Sequence, residues 1–259
     1  MLPKHISDAK TFVANLPIPE PHDFSFASRG AEAFQAQIVD GKSQALVVGS
    51  DLVAFTEGVT AGQRQDIVNS ALLAQLAANK AVSDQTDVIA WHNQYFRVLG
   101  NIGWAIQERN FETFSTASEG FEAHKAILDI AATLIGPNVA TIALIKSALD
   151  ALRNLGSESP WITLFNRESK HSNTARFQVT LAEEMQNGQF LVSLMAFTIS
   201  AQSELTQILF FKFRTGEATL KHMSGRIAIN ETVLAGVRED IERKLALHAA
   251  DFVRSLPDL

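Results

Sequence analysis

The hydrophobic pattern of this 259-residue chain changes period near Gly156-Ser157-Glu158-Ser159-Pro160. From 61 to 155 apolar residues recur at intervals of three and four, as on one face of a helix. Downstream they alternate at two, as in strands. A chain that segregates the two periods is expected to be α+β rather than α/β. The expected architecture is a central bundle of about four helices packed on an antiparallel β-meander, with an N-terminal hairpin and a C-terminal helix. No linker or repeat interrupts the pattern, so residues 1–259 read as one compact domain. Its sub-regions are a strap and hairpin over 1–60, helices over 61–155, and a sheet with a closing helix over 160–259.

The elements follow from local signals. Residues 7–16 can form a short helix with Ser7 or Asp8 as cap, and Pro17, Pro19 and Pro21 then impose an extended strap. Asp40-Gly41 suits a tight turn, so 33–48 reads as a hairpin, continued by Leu52–Phe55 after a bend at Gly49. Thr60-Ala61-Gly62-Gln63 matches a capping box and opens a helix to about Lys80. Ser83 or Asp84 should start the next helix, to about Asn110, with apolar residues on two sides. Gly136-Pro137-Asn138 separates helices at 118–135 and 138–155, the Gly at a helix end and the Pro in a first turn.

Beyond Pro160, Trp161–Phe165 reads as a short strand. In 175–181 Ala175, Phe177, Val179 and Leu181 alternate with Arg176, Gln178 and Thr180, the pattern of a half-exposed strand. Residues 190–199 are apolar on both faces and read as the central strand. Asn187-Gly188 marks the turn before it. Residues 205–214 and 218–229 continue the meander. A helix over 233–254, capped by Asn230 or Thr232, closes the chain. Leu234, Val237, Ile241, Leu245, His248 and Phe252 line its inner face, and Glu239–Arg243 and Asp240–Lys244 pair on its outer face.

Composition narrows the function classes. With 22 basic and 28 acidic residues the chain carries a formal charge of −6. Without a basic block it lacks the electrostatic footprint of a nucleic-acid binder. It has no cysteine, which removes disulfides, thiolate catalysis and cysteine-ligated metals. The start, MLPKHISDAK, lacks the apolar core of a Sec signal peptide, so the expected location is soluble, either cytoplasmic or exported without such a signal. There are 17 Phe against one Tyr and three Trp, a bias toward packing over hydrogen-bonded recognition.

Standard catalytic motifs are absent: no nucleophile elbow, P-loop, dinucleotide fingerprint, EF-hand or zinc-protease helix. No two of the seven histidines lie three or four apart, so no helical metal pair is encoded and no metal or cofactor is expected. The most unusual stretch is Ala126–Ile145, AILDIAATLIGPNVATIALI, with Asp129 its single charge. Its halves are too short to span a bilayer, and Gly-Pro-Asn divides them. An apolar helical hairpin of this kind either forms the centre of the fold or engages lipid. On the lipid reading Ile127, Ile130, Leu134, Ile142 and Ile145, with Phe96 nearby, line the contact. The protein is then a non-enzymatic binding protein, of the effector or virulence-factor type.

Two polar places offer other readings. The stretch NRESKHSN contributes Arg167, Lys170 and His171, able to contact an anion or headgroup or to form a solvated hairpin tip. His92, Tyr95 and His124 could supply acid/base groups to a hydrolase-like enzyme, given a carboxylate that the local sequence does not provide. A third reading is a structural or protein-interaction module that self-associates through a sheet edge or the terminal helix.

Overall fold

The structure is a computed structural model, and it describes residues 5–20, 38–106, 110–115, 120–136, 139–185, 190–214, 216–248 and 252–256. Its centre is an eight-stranded sheet in the order β10-β1-β2-β6-β7-β9-β3, with the short β5 beside β6. The strands are β1 (Gln44–Val48), β2 (Asp51–Phe55), β3 (Glu112–Thr113), β5 (Lys170–His171), β6 (Thr174–Glu184), β7 (Phe190–Ala201), β9 (Ala218–Ile227) and β10 (Val253–Ser255). All pairings are antiparallel except β2 with β6, which run parallel from Asp51–Gln178 to Phe55–Ala182. A separate ribbon pairs β4 (Gly120–Glu122) with β8 (Lys212–Arg214). The fold is α+β, and β7 is interior to the sheet as its doubly apolar pattern requires.

The described residues contain seven helices: α1 (Ile6–Asn15), α2 (Ala61–Ala81), α3 (Val88–Asn101), α4 (Ala123–Ile135), α5 (Val139–Leu155), α6 (Pro160–Ser169) and α7 (Glu231–Leu245). They do not form a bundle on one side. Helices α1, α2, α3 and α7 share a core with Leu46, Val48, Val53 and Phe55, whereas α4, α5 and α6 pack with Ala45, Val47, Leu52 and Ala54. Alternation along β1 and β2 thus sends successive side chains into two different cores. The sheet is a middle layer covered on both faces, because each apolar helix face needs an apolar partner.

Several elements depart from their sequence reading for identifiable reasons. Trp161–Phe165 is helical, since Ser159 caps Ile162 N and Pro160 occupies the first turn. Helix α3 starts at Val88, where the Asp87 carboxylate accepts from Ala90 N, and ends at Asn101. Helix α1 starts at Ile6 with no side-chain cap. Helix α4 begins only at Ala123, because residues 120–122 pair with β8. Of 205–214 only Lys212–Arg214 is strand, and it belongs to this ribbon rather than the main sheet.

The N-terminal hairpin turns at Gly49-Ser50, between β1 and β2. The arm expected over 33–37 lies outside the described residues, as does the Asn187-Gly188 turn. Helix α7 ends at Leu245, and Val253–Ser255 adds an edge strand beside β1. His248 and Phe252 are therefore not part of that helix. Arg243 pairs with Asp240, and the Lys244 ammonium donates to the carbonyls of Val13 and Ala14 on α1.

The capping box at Thr60 and Gln63 forms as expected. The β6 face carrying Arg176, Gln178 and Thr180 is wholly buried rather than half-exposed. Helix α3 covers it, and polar groups on α2, α3, the loop between them and β2 hydrogen-bond to it, Arg176 Nε excepted.

Candidate functional site

The structure separates the sequence-designated residues into three places. The first is the α4–α5 layer. Ile127, Ile130 and Ile145 are buried in the core beneath it, Leu134 is half-buried against that core, and Ile142 is half-buried on α5. Phe96 lies on α3 in the opposite core, so the sheet stands between it and the other five. Apolar side chains make most of the contact between this layer and the sheet. Among the described residues the polar ties to the sheet include Thr141 Oγ1 donating to Glu183 Oε2 and Arg226 donating to the Ile135 carbonyl. His124 is at the base of this layer. Arg153 donates to its Nε2, so Nδ1–H is left to donate to the Leu209 carbonyl at 3.1 Å. Burial and the nearby Arg153 hold its pKa below the usual histidine value.

The second place is a polar layer on the other face of the sheet, where α2 and α3 cover β2 and β6. His92 and Tyr95 are adjacent here, one turn apart on α3. His92 Nδ1 donates to the Val88 carbonyl at 2.8 Å and Nε2 accepts from the Gln178 amide at 3.1 Å. Gln178 Oε1 and Gln75 Oε1 both lie within reach of the Ser50 hydroxyl, and Gln75 Nε2 donates to the Val48 carbonyl. One chain of amides and hydroxyls thus links α3 through the sheet to α2. Burial, reinforced by the positive charge of Arg176, pushes His92 down to about 3.

The carboxylate that local sequence does not show is Asp51, the first residue of β2. It is wholly buried, and Thr180 Oγ1 donates to its Oδ2 at 2.8 Å. Burial pushes it up to about 7, with the Thr180 hydrogen bonds opposing. Tyr95 lies beside it and is raised well above its ordinary value, by burial first and then by the Asp51 charge. Neither Tyr95 Oη nor Asp51 Oδ1 makes a hydrogen bond of good geometry. Farther along, the Arg176 guanidinium lies 4.4 Å from the Trp91 ring and donates to Asn79 Oδ1 and to the Gln85 carbonyl and side chain.

Sequence reasoning misses Asp51, Ser50, Gln75, Arg176, Gln178 and Thr180. Two signals were present: a lone charge inside ALVVGSDLVAF, and a strand whose polar face holds no Lys or Glu through 180.

The third place is the end of α6. Arg167 pairs with Glu168 at 2.6 Å and faces the Phe252 ring. Lys170 and His171 form β5, and His171 is pushed down to about 4 by burial and by Arg176. Among the described residues no group of three or more His, Asp or Glu has the geometry to hold a metal ion, and no helix is long and apolar enough to cross a membrane.

No family model matches the sequence, and no curated protein matches it. Among solved structures the chain is similar to one titled "Structure of the Evf virulence factor". That match has 14% identity and a TM-score of 0.42, over 83% of this chain and 86% of the other. It is also similar to a delta-endotoxin, at 14% identity and a TM-score of 0.39, over 76% and 87%. Superpositions this loose carry no weight for function.

Proposed function

We propose that this chain is a non-catalytic binding protein that engages lipid through the α4–α5 hairpin. The supporting observation is the unequal attachment of the two helical layers. Helices α2 and α3 are tied to the sheet by a continuous buried polar chain, so lifting them strands polar groups at high cost. The α4–α5 layer is tied mainly by apolar side chains. It can exchange the sheet for a lipid interface while losing few hydrogen bonds, because acyl chains and Ile side chains are equivalent solvents for it. Its helices have 13 and 17 residues, which suits lying in the interface rather than spanning. An effector or virulence-type role would use this same contact.

Flotation with vesicles of phosphatidylcholine, with and without phosphatidylglycerol, at pH 7 and pH 5, tests this reading. The cysteine-free chain allows a clean control. Thr141→Cys and Glu183→Cys, joined by a short bis-methanethiosulfonate reagent that loses a sulfinate at each thiol and is cleaved by dithiothreitol, lock the hairpin to the sheet. Flotation that is lost on locking and regained on cleavage supports the hairpin. Failure to float with every composition sinks the reading.

An enzyme of hydrolase type has one observation in its favour, the placement of Asp51 beside Tyr95 and one side chain from His92. Against it, all three are wholly buried and His92 spends both ring nitrogens on the protein. Hydrolysis of a panel of activated esters that His92→Asn abolishes, with the fold intact, would restore it.

A further inference from the structure

A cleft of about 450 Å³ lies outside the places described above, between the chain leaving β7 and the turn that joins β8 to β9. Its walls are fixed by the backbone. Gln202 N donates to the Glu217 carbonyl, the Gln202 side chain donates to the Gly216 carbonyl, and Leu205 N donates to the Ser172 carbonyl. Leu205 and Phe213 are buried at its base, while Phe211 is 43% exposed beside it. Phe211 meets Phe213 edge to face at 5.0 Å, and Phe213 stacks on Phe121 of β4 at 5.1 Å. Two carboxylates line the same space, Glu204 and Glu217, and no Lys or Arg does. Glu217 is held in place by accepting from Arg214 N at 2.9 Å. Among the described residues neither carboxylate has a salt-bridge partner.

We propose that this cleft binds an N-methylated organic cation of the choline type. The argument is complementarity. The exposed Phe211 ring, backed by the buried Phe213, attracts a cation whose charge is spread over methyl groups, and the carboxylates supply the field without having to hydrogen-bond it. A primary ammonium holds its water more tightly, and the Phe211 ring returns no hydrogen bond for what it displaces; the polar lining of Gln202, Ser203, Thr206 and Gln207 makes ethanolamine the necessary comparison. The volume falls within the usual range of small-ligand sites. The proposal goes beyond lipid engagement, because a free cation needs no membrane. The position nevertheless connects the two: β4, which carries Phe121, runs directly into α4.

The test titrates choline chloride into the full chain and follows binding by ligand-observed NMR, with ethanolamine as the primary-amine comparison. Saturable choline binding is expected, weakened about threefold or more by Phe211→Ala, and further weakened by Glu204→Gln with Glu217→Gln. All three positions are exposed, so the variants should fold, and circular dichroism checks this. Absence of saturation, undiminished binding by Phe211→Ala, or equal binding of ethanolamine overturns the proposal. Vesicles then separate the sources. A preference for phosphatidylcholine over phosphatidylglycerol vesicles that Phe211→Ala removes assigns the lipid headgroup. Choline binding without that preference assigns the free cation. The titration is independent of flotation, so failure of the cleft and failure of the hairpin are separately visible.

Discussion

Asp51 and His92 lie in the same buried layer, and burial disfavours the charged form of both. Gln178 faces Asp51 in the parallel register of β2 and β6, and donates its side-chain amide to His92 Nε2. Here burial penalises both charged forms, and the neutral amide separates them. The polar layer therefore ties α3 to the sheet without housing an ion pair, which costs less desolvation than a buried salt bridge.

The two groups should have opposite and separable effects on stability. Asp51 is raised from 3.8 to about 7, so the folded state keeps a proton that the unfolded chain releases. Its cost is absent below pH 3.8 and grows as pH rises toward 7. His92 is lowered from 6.5 to about 3, so its cost is absent above pH 6.5 and grows as pH falls. Relative to the wild type, Asp51→Asn should gain stability as pH rises from 4 to 7, and His92→Asn should gain it as pH falls from 6.5 to 3. Each slope approaches about 1.4 kcal/mol per pH unit. Urea unfolding at several pH values measures both, and slopes of the same sign would contradict neutral burial.

Gly49 should be among the least replaceable glycines. Its φ is +56°, and a Cβ there would lie 2.3 Å from Gln75 Oε1, the atom that accepts from Ser50 N. Gly49→Ala must therefore both strain the turn and displace Gln75 from the polar chain, at about 2–4 kcal/mol. Gly41 also has positive φ, +68°, but opens onto free space. Gly41→Ala should cost only about 1 kcal/mol. Equal losses in thermal or urea unfolding would show that the Gln75 contact is unimportant.

Features decided within a few residues were legible in the sequence. Thr60 and Gln63 announce their capping box because both partners lie within one turn. The α4–α5 hairpin and its Gly136 break are equally local. WITLF misled because five residues fit either period, and only the Ser159-Pro160 start decides for helix. The strand 175–181 reads as half-solvated because polar side chains usually face water, whereas its Arg176, Gln178 and Thr180 are matched by groups far away in the chain. Asp51 could not have been found locally, since Thr180 is 129 residues distant. The split of the helices over two faces is likewise set by the β2–β6 pairing, which no local signal encodes.

Arg176 offers a test of how that layer is satisfied. Its guanidinium is buried, and burial pulls its pKa down to about 9, the distant Glu168 opposing. Its ties are the forked bonds to Asn79 and Gln85 and the Trp91 face. Arg176→Lys keeps the charge but loses the planar fork, so it should destabilise by about 2 kcal/mol. Tryptophan fluorescence should shift with it, because the Trp91 ring loses the guanidinium packed over its face. A change below about 0.5 kcal/mol in urea unfolding would mean that the fork contributes little.

Hydrogen exchange should distinguish the two helical layers directly. An amide exchanges when its segment opens, and the opening free energy reflects what the segment must break. For α2 and α3 that includes the chain from Gln75 through Ser50 and Gln178 to His92, so their amides should exchange only near global unfolding. For α4 and α5 it is mainly apolar contact with Leu52, Ala54, Val179 and Leu181, together with the Thr141–Glu183 and Arg226–Ile135 bonds. Amides of α4 and α5 should therefore exchange through a smaller opening, at least about tenfold faster than those of α2 at equal intrinsic rate. Thr141→Val should widen the gap, because it removes one tie and leaves Glu183 buried without that donor. Equal protection in the two layers, read by mass spectrometry on the free protein, would mean that the hairpin is as firmly held as the rest. It would then have no low-energy route to a lipid surface.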